Sequence, residues 1–154
     1  MNNVLRNSSL DIFFSKIRSE NKKIVFTNGC FDIIHPGHIH VLSQSKLLGD
    51  ILVVGLNSDK SVKKLKGKER PIVNESDRAK ILLSIKYVNY VIIFDESTPK
   101  DIIEKIKPDI LVKGGDYIID DIVGSKFVID SGGRVEIVKF LDGYSSSNYL
   151  DDLN

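Results

Sequence analysis

From Asn28 to His38 the chain reads Asn-Gly-Cys-Phe-Asp-Ile-Ile-His-Pro-Gly-His, a stretch crowded with groups that act on anions. His35 and His38 stand three residues apart around a helix start, a spacing that turns both imidazoles toward one point. Pro36 suits a first helical position, and the N–H groups and positive dipole end of a helix beginning there form an anion site. Gly29 and Gly37 remove side chains where a phosphate must approach the backbone. His38 shares a helical stripe with Val41, Leu42 and Ser45, which places it toward the buried side. Cys30 reads as a small packing residue with no base beside it in sequence. His-x-x-His is also a metal spacing, but no cysteine or acidic cluster nearby completes a ligand set, and no protein-held metal is expected. Neither G-x-x-x-x-G-K-[ST] nor G-x-G-x-x-G occurs, so P-loop chemistry and ordinary dinucleotide binding are disfavoured. Paired carboxylates are absent from the loop as well. Its chemistry is the orientation and neutralisation of phosphate charge.

Other charged groups extend this reading. Lys46 lies two turns beyond His38, either solvated or reaching a phosphate. Lys60, Lys63, Lys64, Lys66, Lys68 and Arg70 crowd one short segment, either a solvated face or a cationic flap over a triphosphate. Arg78 continues the apolar stripe of Ile81, Leu82 and Ile85 at a helix's first turn, where the macrodipole disfavours a cation. It therefore needs a structural ion pair or a phosphate. Near the end, Ser145, Ser146 and Ser147 either cap a helix or hold a β- or γ-phosphate.

The elements that must position these groups are legible in the pattern. Lys23–Asn28, Asp50–Asn57, Tyr90–Asp95, Asp109–Gly114 and Arg134–Phe140 read as strands, several of them apolar without alternation, as in strands covered on both faces. Helices are expected over Ser9–Glu20, Gly37–Leu48, Asn74 to about Tyr87, from Thr98-Pro99 onward, and Asp121–Ser131. This alternation predicts a doubly wound, Rossmann-like α/β fold: a five-stranded parallel sheet with helices on both faces. Ligands in such sheets bind beyond the carboxyl ends of the strands. That puts Asn28 to Gly37 at the ligand edge, and Gly114 to Asp116 beside a base or ribose.

The 154 residues suit one domain, read as 1–154 with a helical extension over 1–21. Lysine and arginine number 22 against 21 acidic residues, a net charge of +1 that disfavours a dedicated nucleic-acid partner. No apolar run approaches the roughly 20 residues of a membrane span, and Met1–Leu10 has no signal-peptide core. The expectation is a cytoplasmic protein with no membrane partner.

Gly-Cys-Phe-Asp-x-x-His-x-Gly-His at this junction resembles the nucleotidyltransferase superfamily with the HxGH signature, and the likeness runs from Ile24 to Leu150. Asn57-Ser58-Asp59, Leu65-Lys66-Gly67 with Arg70-Pro71, and Arg78 resemble its sugar-phosphate members. Leu111-Val112-Lys113-Gly114-Gly115-Asp116-Tyr117, followed by Gly124-Ser125-Lys126, is similar to the heptose 1-phosphate adenylyltransferases; the resemblance leads one to expect a free-standing domain instead of one fused to a sugar kinase. The resemblance implies transfer of AMP from ATP to D-glycero-β-D-manno-heptose 1-phosphate. Pyrophosphate is released and ADP-heptose is formed for lipopolysaccharide inner-core or related glycan synthesis, with Mg²⁺ accompanying ATP. It implies catalytic roles for His35, His38, Lys66 and Arg78. Asn28, Gly29, Cys30, Phe31, Gly37, Lys46, Lys113, Gly114, Asp116 and Ser145 to Ser147 fall to the nucleotide. Asp32, Asn57, Asp59 and Arg70 fall to the acceptor. A homodimer is implied too, formed through the N-terminal amphipathic piece. The rival within the superfamily is a CTP-dependent cytidylyltransferase acting on glycerol 3-phosphate or a similar alcohol. Phe140-Leu141-Asp142 stands where those relatives carry an arginine, which disfavours it. A non-catalytic nucleotide-binding module is a more distant alternative.

Overall fold

The computed structural model describes residues 3–144. In chain order its elements are β1 (Val4–Leu5), α1 (Leu10–Ser19), β2 (Ile24–Gly29), α2 (Pro36–Leu47), β3 (Ile51–Asn57), α3 (Asp59–Lys66), α4 (Glu75–Ser84), β4 (Tyr90–Phe94), α5 (Lys100–Ile106), β5 (Ile110–Gly114), α6 (Ser125–Asp130) and β6 (Arg134–Val138). The strands form one sheet in the order β1-β4-β3-β2-β5-β6, every neighbour parallel.

The uninterrupted apolar runs behave as strands covered on both faces must. Successive residues of β2 alternate between two cores. Ile24 and Phe26 join Phe14, Ile103, Leu111 and Val128 on one face, while Val25 joins Leu42, Val54, Leu82 and Val112 on the other. The chain starts from β2 at the centre, winds outward through β3 to β4, then returns to lay β5 against the opposite side of β2. Strand order reverses there, so the crevice between the carboxyl ends of β2 and β5 is the topological switch point.

The sheet has six strands where five were expected. The extra one, β1, is two residues long and pairs Val4 with Val91 and Leu5 with Ile92, too short to carry a periodic signal. The amphipathic piece before β2 is indeed helical, but its apolar face is spent within the chain. Leu10, Phe14 and Ile17 are buried in the core, and the Phe13 and Phe14 rings meet Tyr90 edge-on at 5.0 and 6.5 Å. That face is closed to a second copy. The helix expected over 121–131 is a 3₁₀ turn, Ile119–Asp121, then α6, because Gly124 adopts φ 85° between them. The last strand ends at Val138, short of Phe140. Half of the basic segment is ordered helix: the Ser58 hydroxyl caps α3 by accepting the Ser61 amide at 3.1 Å, and Gly67, at φ 99°, ends it. No helix among the described residues is long and apolar enough to cross a membrane.

Candidate active site

A cleft of about 390 Å³ opens over the carboxyl ends of β2, β3 and β5. Ten residues singled out in the sequence for nucleotide, catalysis or acceptor line it together: Asn28, Gly29, Cys30, Phe31, Asp32, His38, Asn57, Lys66, Lys113 and Gly114, while His35, Gly37 and Arg70 are not among its lining residues.

The imidazoles are set by the start of α2. His35 is the extended residue before the helix, Pro36 takes the first turn, and His38 follows one turn on. Their rings stack with centroids 3.8 Å apart and planes 28° from parallel. Phe31 backs His38 at 5.1 Å, and Tyr144 lies near-parallel to His35 at 6.4 Å. Gly37 permits the stack, since a Cβ there would stand 3.0 Å from the His35 ring and 3.2 Å from the Tyr144 Cβ. Phe31 reaches its place from a left-handed φ of 45°, a conformation costly for an aromatic residue and held here by its burial. Burial pushes the His35 imidazole below its ordinary value. It pushes His38 down further, to about 4, with help from His35 and Lys66. His38 is therefore neutral at pH 7, and its Nδ1 is buried without a hydrogen-bond partner.

Across the switch point Lys113 of β5 donates from Nζ to Oδ1 of Asn28 of β2 at 3.0 Å, as the parallel register of the two strands requires. Its Nζ also stands 5.9 Å over the Tyr117 ring, and burial lowers its pKa. Beside it, Gly114 and Gly115 form a floor without side chains. A Cβ on Gly115, at φ 121°, would strike the Phe140 ring at 2.7 Å, and one on Gly114 would strike Val41 at 2.7 Å. The Cys30 thiol is raised by burial despite the opposing charges of Lys66, Arg78 and Arg70, which fits the packing role read for it.

Two expected contact residues instead hold the site together. Asp32 is buried and accepts Arg70 Nε at 2.6 Å, the Ile72 amide at 2.9 and 3.0 Å, and the Val73 amide at 2.9 Å. Burial alone would raise its carboxyl, but these bonds outweigh it and hold the group below its ordinary value. Arg78 is 0% exposed. It donates to the carbonyls of Val73, Cys30 and Asn57 at 2.7–2.8 Å and to Asp59 Oδ1 at 2.7 Å. Of the two readings open for Arg78, the structural pair is the one realised. It does not line the cleft, because its fork is spent on tying the signature loop to the ends of β3 and α4. Asp59 is committed likewise, through Arg78 and through its amide to Glu75 Oε2 at 2.8 Å. Asn57 keeps a place on the wall while its Nδ2 donates to Ser61 Oγ at 2.9 Å.

Lys46 stands away from the cleft, contrary to its expected place at the nucleotide. Its Nζ donates to Asn89 Oδ1 at 2.9 Å and to the Asp50 carbonyl, at the start of β3. Eight residues of helix carry it roughly 12 Å from His38, to the far end of the sheet. Asp116 is exposed and does not line the cleft. Ser145, Ser146 and Ser147 lie outside the described residues. Conversely, Thr27, Val41, Leu65, Ser97, Tyr117 and Phe140 line the cleft without having been singled out as contacts. The carboxyl-end rule finds three of them, since Ser97 follows β4, Tyr117 follows β5 and Phe140 follows β6.

A doubly wound α/β fold with its anion-handling cleft at the switch point, and paired imidazoles opening the adjoining helix, defines a nucleotide-phosphate-binding class. Within it the chain belongs to the cytidylyltransferase-like family, whose model matches residues 26–148. It is 50% identical over 148 residues to the bifunctional protein HldE of Citrifermentans bemidjiense, covering 94% of this chain and 30% of the relative. The HldE of Marinomonas sp. (strain MWYL1) is 53% identical over 133 residues, covering 86% and 28%. The chain thus spans less than a third of the curated relatives it matches. It also resembles the crystal structure of the lipopolysaccharide core biosynthesis protein from Thermoplasma volcanium GSS1, with 34% identity and a TM-score of 0.63 over 80% of this chain and 99% of that one.

Proposed function

We propose that the chain is an adenylyltransferase that moves AMP from ATP to the phosphate of D-glycero-β-D-manno-heptose 1-phosphate, as one nucleotidyltransferase domain acting in the cytoplasm. The observation that carries this reading is the cleft itself. Its lining imidazole, His38, is neutral at pH 7 with His35 stacked against it, its lining cations among the described residues are Lys66 and Lys113, and the lining carboxylate Asp32 is already saturated by protein donors. Such a wall suits phosphoanhydride chemistry between two anions. The motif resemblance, the HldE relatives and a neighbour in lipopolysaccharide core biosynthesis support a heptose phosphate as acceptor.

The acceptor's phosphate oxygen, already ionised at neutral pH, attacks the α-phosphorus of ATP in line. The bond from that phosphorus to the bridging oxygen of the β-phosphate breaks, and pyrophosphate leaves with the electron pair. No general base is required. The protein's part is positioning and charge neutralisation. His38 and His35 donate to the α-phosphate region, Lys66 attends the transferred and leaving phosphates, and Lys113, Asn28 and Gly114 border the nucleoside. Ser145 to Ser147 remain assigned to the β and γ phosphates. Among the described residues no cluster of three or more His, Cys, Asp or Glu could cage a metal, and Mg²⁺ would arrive as part of the MgATP substrate. The homodimer stays within this proposal, on a surface other than the apolar face of α1.

Purified protein with Mg²⁺ and either ATP or CTP, offered heptose 1-phosphate, mannose 1-phosphate and glycerol 3-phosphate, tests the reading by pyrophosphate release and product analysis. ADP-heptose formed with ATP is the expected result. Turnover with CTP and glycerol 3-phosphate would transfer the chain to the cytidylyl branch. Nucleotide binding without turnover on any acceptor would make it a binding module.

A further inference from the structure

On the side away from β1 the sheet ends at β6, and that edge is open. β6 pairs with β5 residue for residue from Arg134 to Val138, without a bulge. The Arg134 amide donates to the Asp109 carbonyl at 2.9 Å, and the Val138 carbonyl accepts the Gly115 amide at 2.9 Å. Peptide groups alternate along a strand, so those of residues 134, 136 and 138 face β5, while those of Val135 and Ile137 point away from it. Among the described residues no strand lies beyond β6, and none of its five residues is buried. Edges are ordinarily blunted by proline, lysine, a bulge or a covering element. Arg134–Val138 carries neither proline nor lysine. Nor does α2 cover it: a groove of about 310 Å³ runs beside the strand, lined by His40, Gln44, Leu48 and Glu136 among others.

The side chains say what this edge accepts. Arg134 and Glu136 share one face, and Arg134 donates from Nε to Glu136 Oε1 at 2.7 Å with both half-exposed. A second copy laid antiparallel, on a two-fold axis through Val135, would exchange both peptide hydrogen bonds of Val135 with the same residue of its mate. Arg134 of each copy then falls opposite Glu136 of the other, in the closely spaced positions where cross-strand charges interact, and four charges alternate in sign. An axis moved by one residue, to Glu136, would set two carboxylates face to face, so charge selects the register. Strand pairing alone is a small interface, but apolar side chains flank it. Leu47, on the helical stripe of His40 and Gln44, is 78% exposed on the α2 face of the sheet; Ile129, on the helix that turns into β6, is 48% exposed on the other. We infer that β6 is the homodimer surface, and that two copies pair their β6 strands antiparallel about Val135 into one continuous sheet. The inference rests on the homodimer proposed above and names its surface; the transfer reaction does not enter it.

Sedimentation velocity and light scattering of the full chain and of charge-exchanged variants test it. The wild type should run at micromolar concentration with twice the 17.3 kDa chain mass. Arg134→Glu and Glu136→Arg each set like charges opposite one another, and each should weaken the dimer dissociation constant at least about tenfold. Mixed together, the two variants meet with opposite charges in every cross-strand pair and should form a heterodimer. The double variant Arg134→Glu/Glu136→Arg should likewise recover the dimer. Val135→Pro removes an outward N–H that no bond to β5 uses, so it should lower the dimer fraction with little change in melting temperature. Should that variant not fold, the charge exchange decides alone. A wild type that stays monomeric overturns the homodimer and its surface together. A dimer that neither single exchange weakens, or that the mixture does not restore, overturns the surface alone.

Discussion

The rings of His35 and His38 lie one over the other, 3.8 Å between centroids. Burial of the ring, aided by the repulsion that two imidazolium charges would feel at that distance, keeps His38 neutral, with its pKa at about 4. A neutral imidazole still donates one N–H, and the negative charge of an arriving triphosphate favours its protonation.

The first prediction concerns stability against pH. In the unfolded chain His38 titrates near 6.5, and in the folded protein near 4. Between those values the unfolded state holds a proton that the folded state does not. Stability is therefore full above pH 6.5 and falls as pH drops toward 4, by at most about 1.4 kcal/mol per unit. Partial exposure of the ring keeps the loss below that ceiling. His35, lowered by burial, acts in the same sense, and Asp32, lowered from 3.8, loses its contribution only at more acid pH. Melting temperature followed from pH 7.5 to 4.5 should decline in the wild type and less steeply in His38→Asn. Equal slopes would contradict the assignment.

The second separates the imidazole from its seat. His38→Ala should retain the fold and lower turnover by about 100- to 1,000-fold, the usual loss for one preorganised donor to a developing charge. Gly37→Ala should also lower turnover, by tilting His35 away from a Cβ placed 3.0 Å from its ring, while melting temperature changes little. Pyrophosphate-release assays beside thermal melts read both. Near-normal turnover in a folded His38→Ala protein would remove the centre of the proposed mechanism.

The features legible in the sequence were those with local causes. The signature loop, the helix start at Pro36 and the five apolar strands each announce themselves within a dozen residues, and the carboxyl-end rule then assembles Asn28, His38, Lys66 and Lys113 at one edge. What escaped was set by tertiary partners. Arg78 was flagged as a cation needing an anion, but the three carbonyls it serves come from segments far apart in sequence. Lys46 falls to the nucleotide only through the resemblance, although helix length carries it from the loop to the opposite end of the sheet. Asp32 gave no sign that its acceptors would be filled by residues 70–73. Phe140 and Ser97 are chemically ordinary, and only their position past a strand end marks them.

Arg78 yields the third prediction. Arg78→Ala would remove a fully buried guanidinium and leave the carbonyls of Cys30, Asn57 and Val73 and the Asp59 carboxylate without their common donor. A loss of about 3–5 kcal/mol is expected, as when one partner of a buried pair is removed. Arg78→Lys should rescue little of it, because one ammonium cannot span acceptors that the planar fork reaches together. Urea unfolding measures the effect, and turnover should fall with it because the signature loop loses its brace. A stability loss under about 1 kcal/mol would refute the bracing role.

Lys46 supplies the converse. Its ammonium is spent on Asn89 and on the Asp50 carbonyl at the amino end of β3, where the last turn of α2 also welcomes a cation. Asn89 Oδ1 keeps a second donor, the Leu52 amide at 2.8 Å, and is not orphaned when the lysine is truncated. Lys46→Ala should therefore cost only about 1 kcal/mol of stability and leave the KM for ATP unchanged. A rise in that KM of tenfold or more without loss of stability would return Lys46 to the phosphate site, and would mean that the carboxyl ends of the strands do not bound the nucleotide as the fold requires.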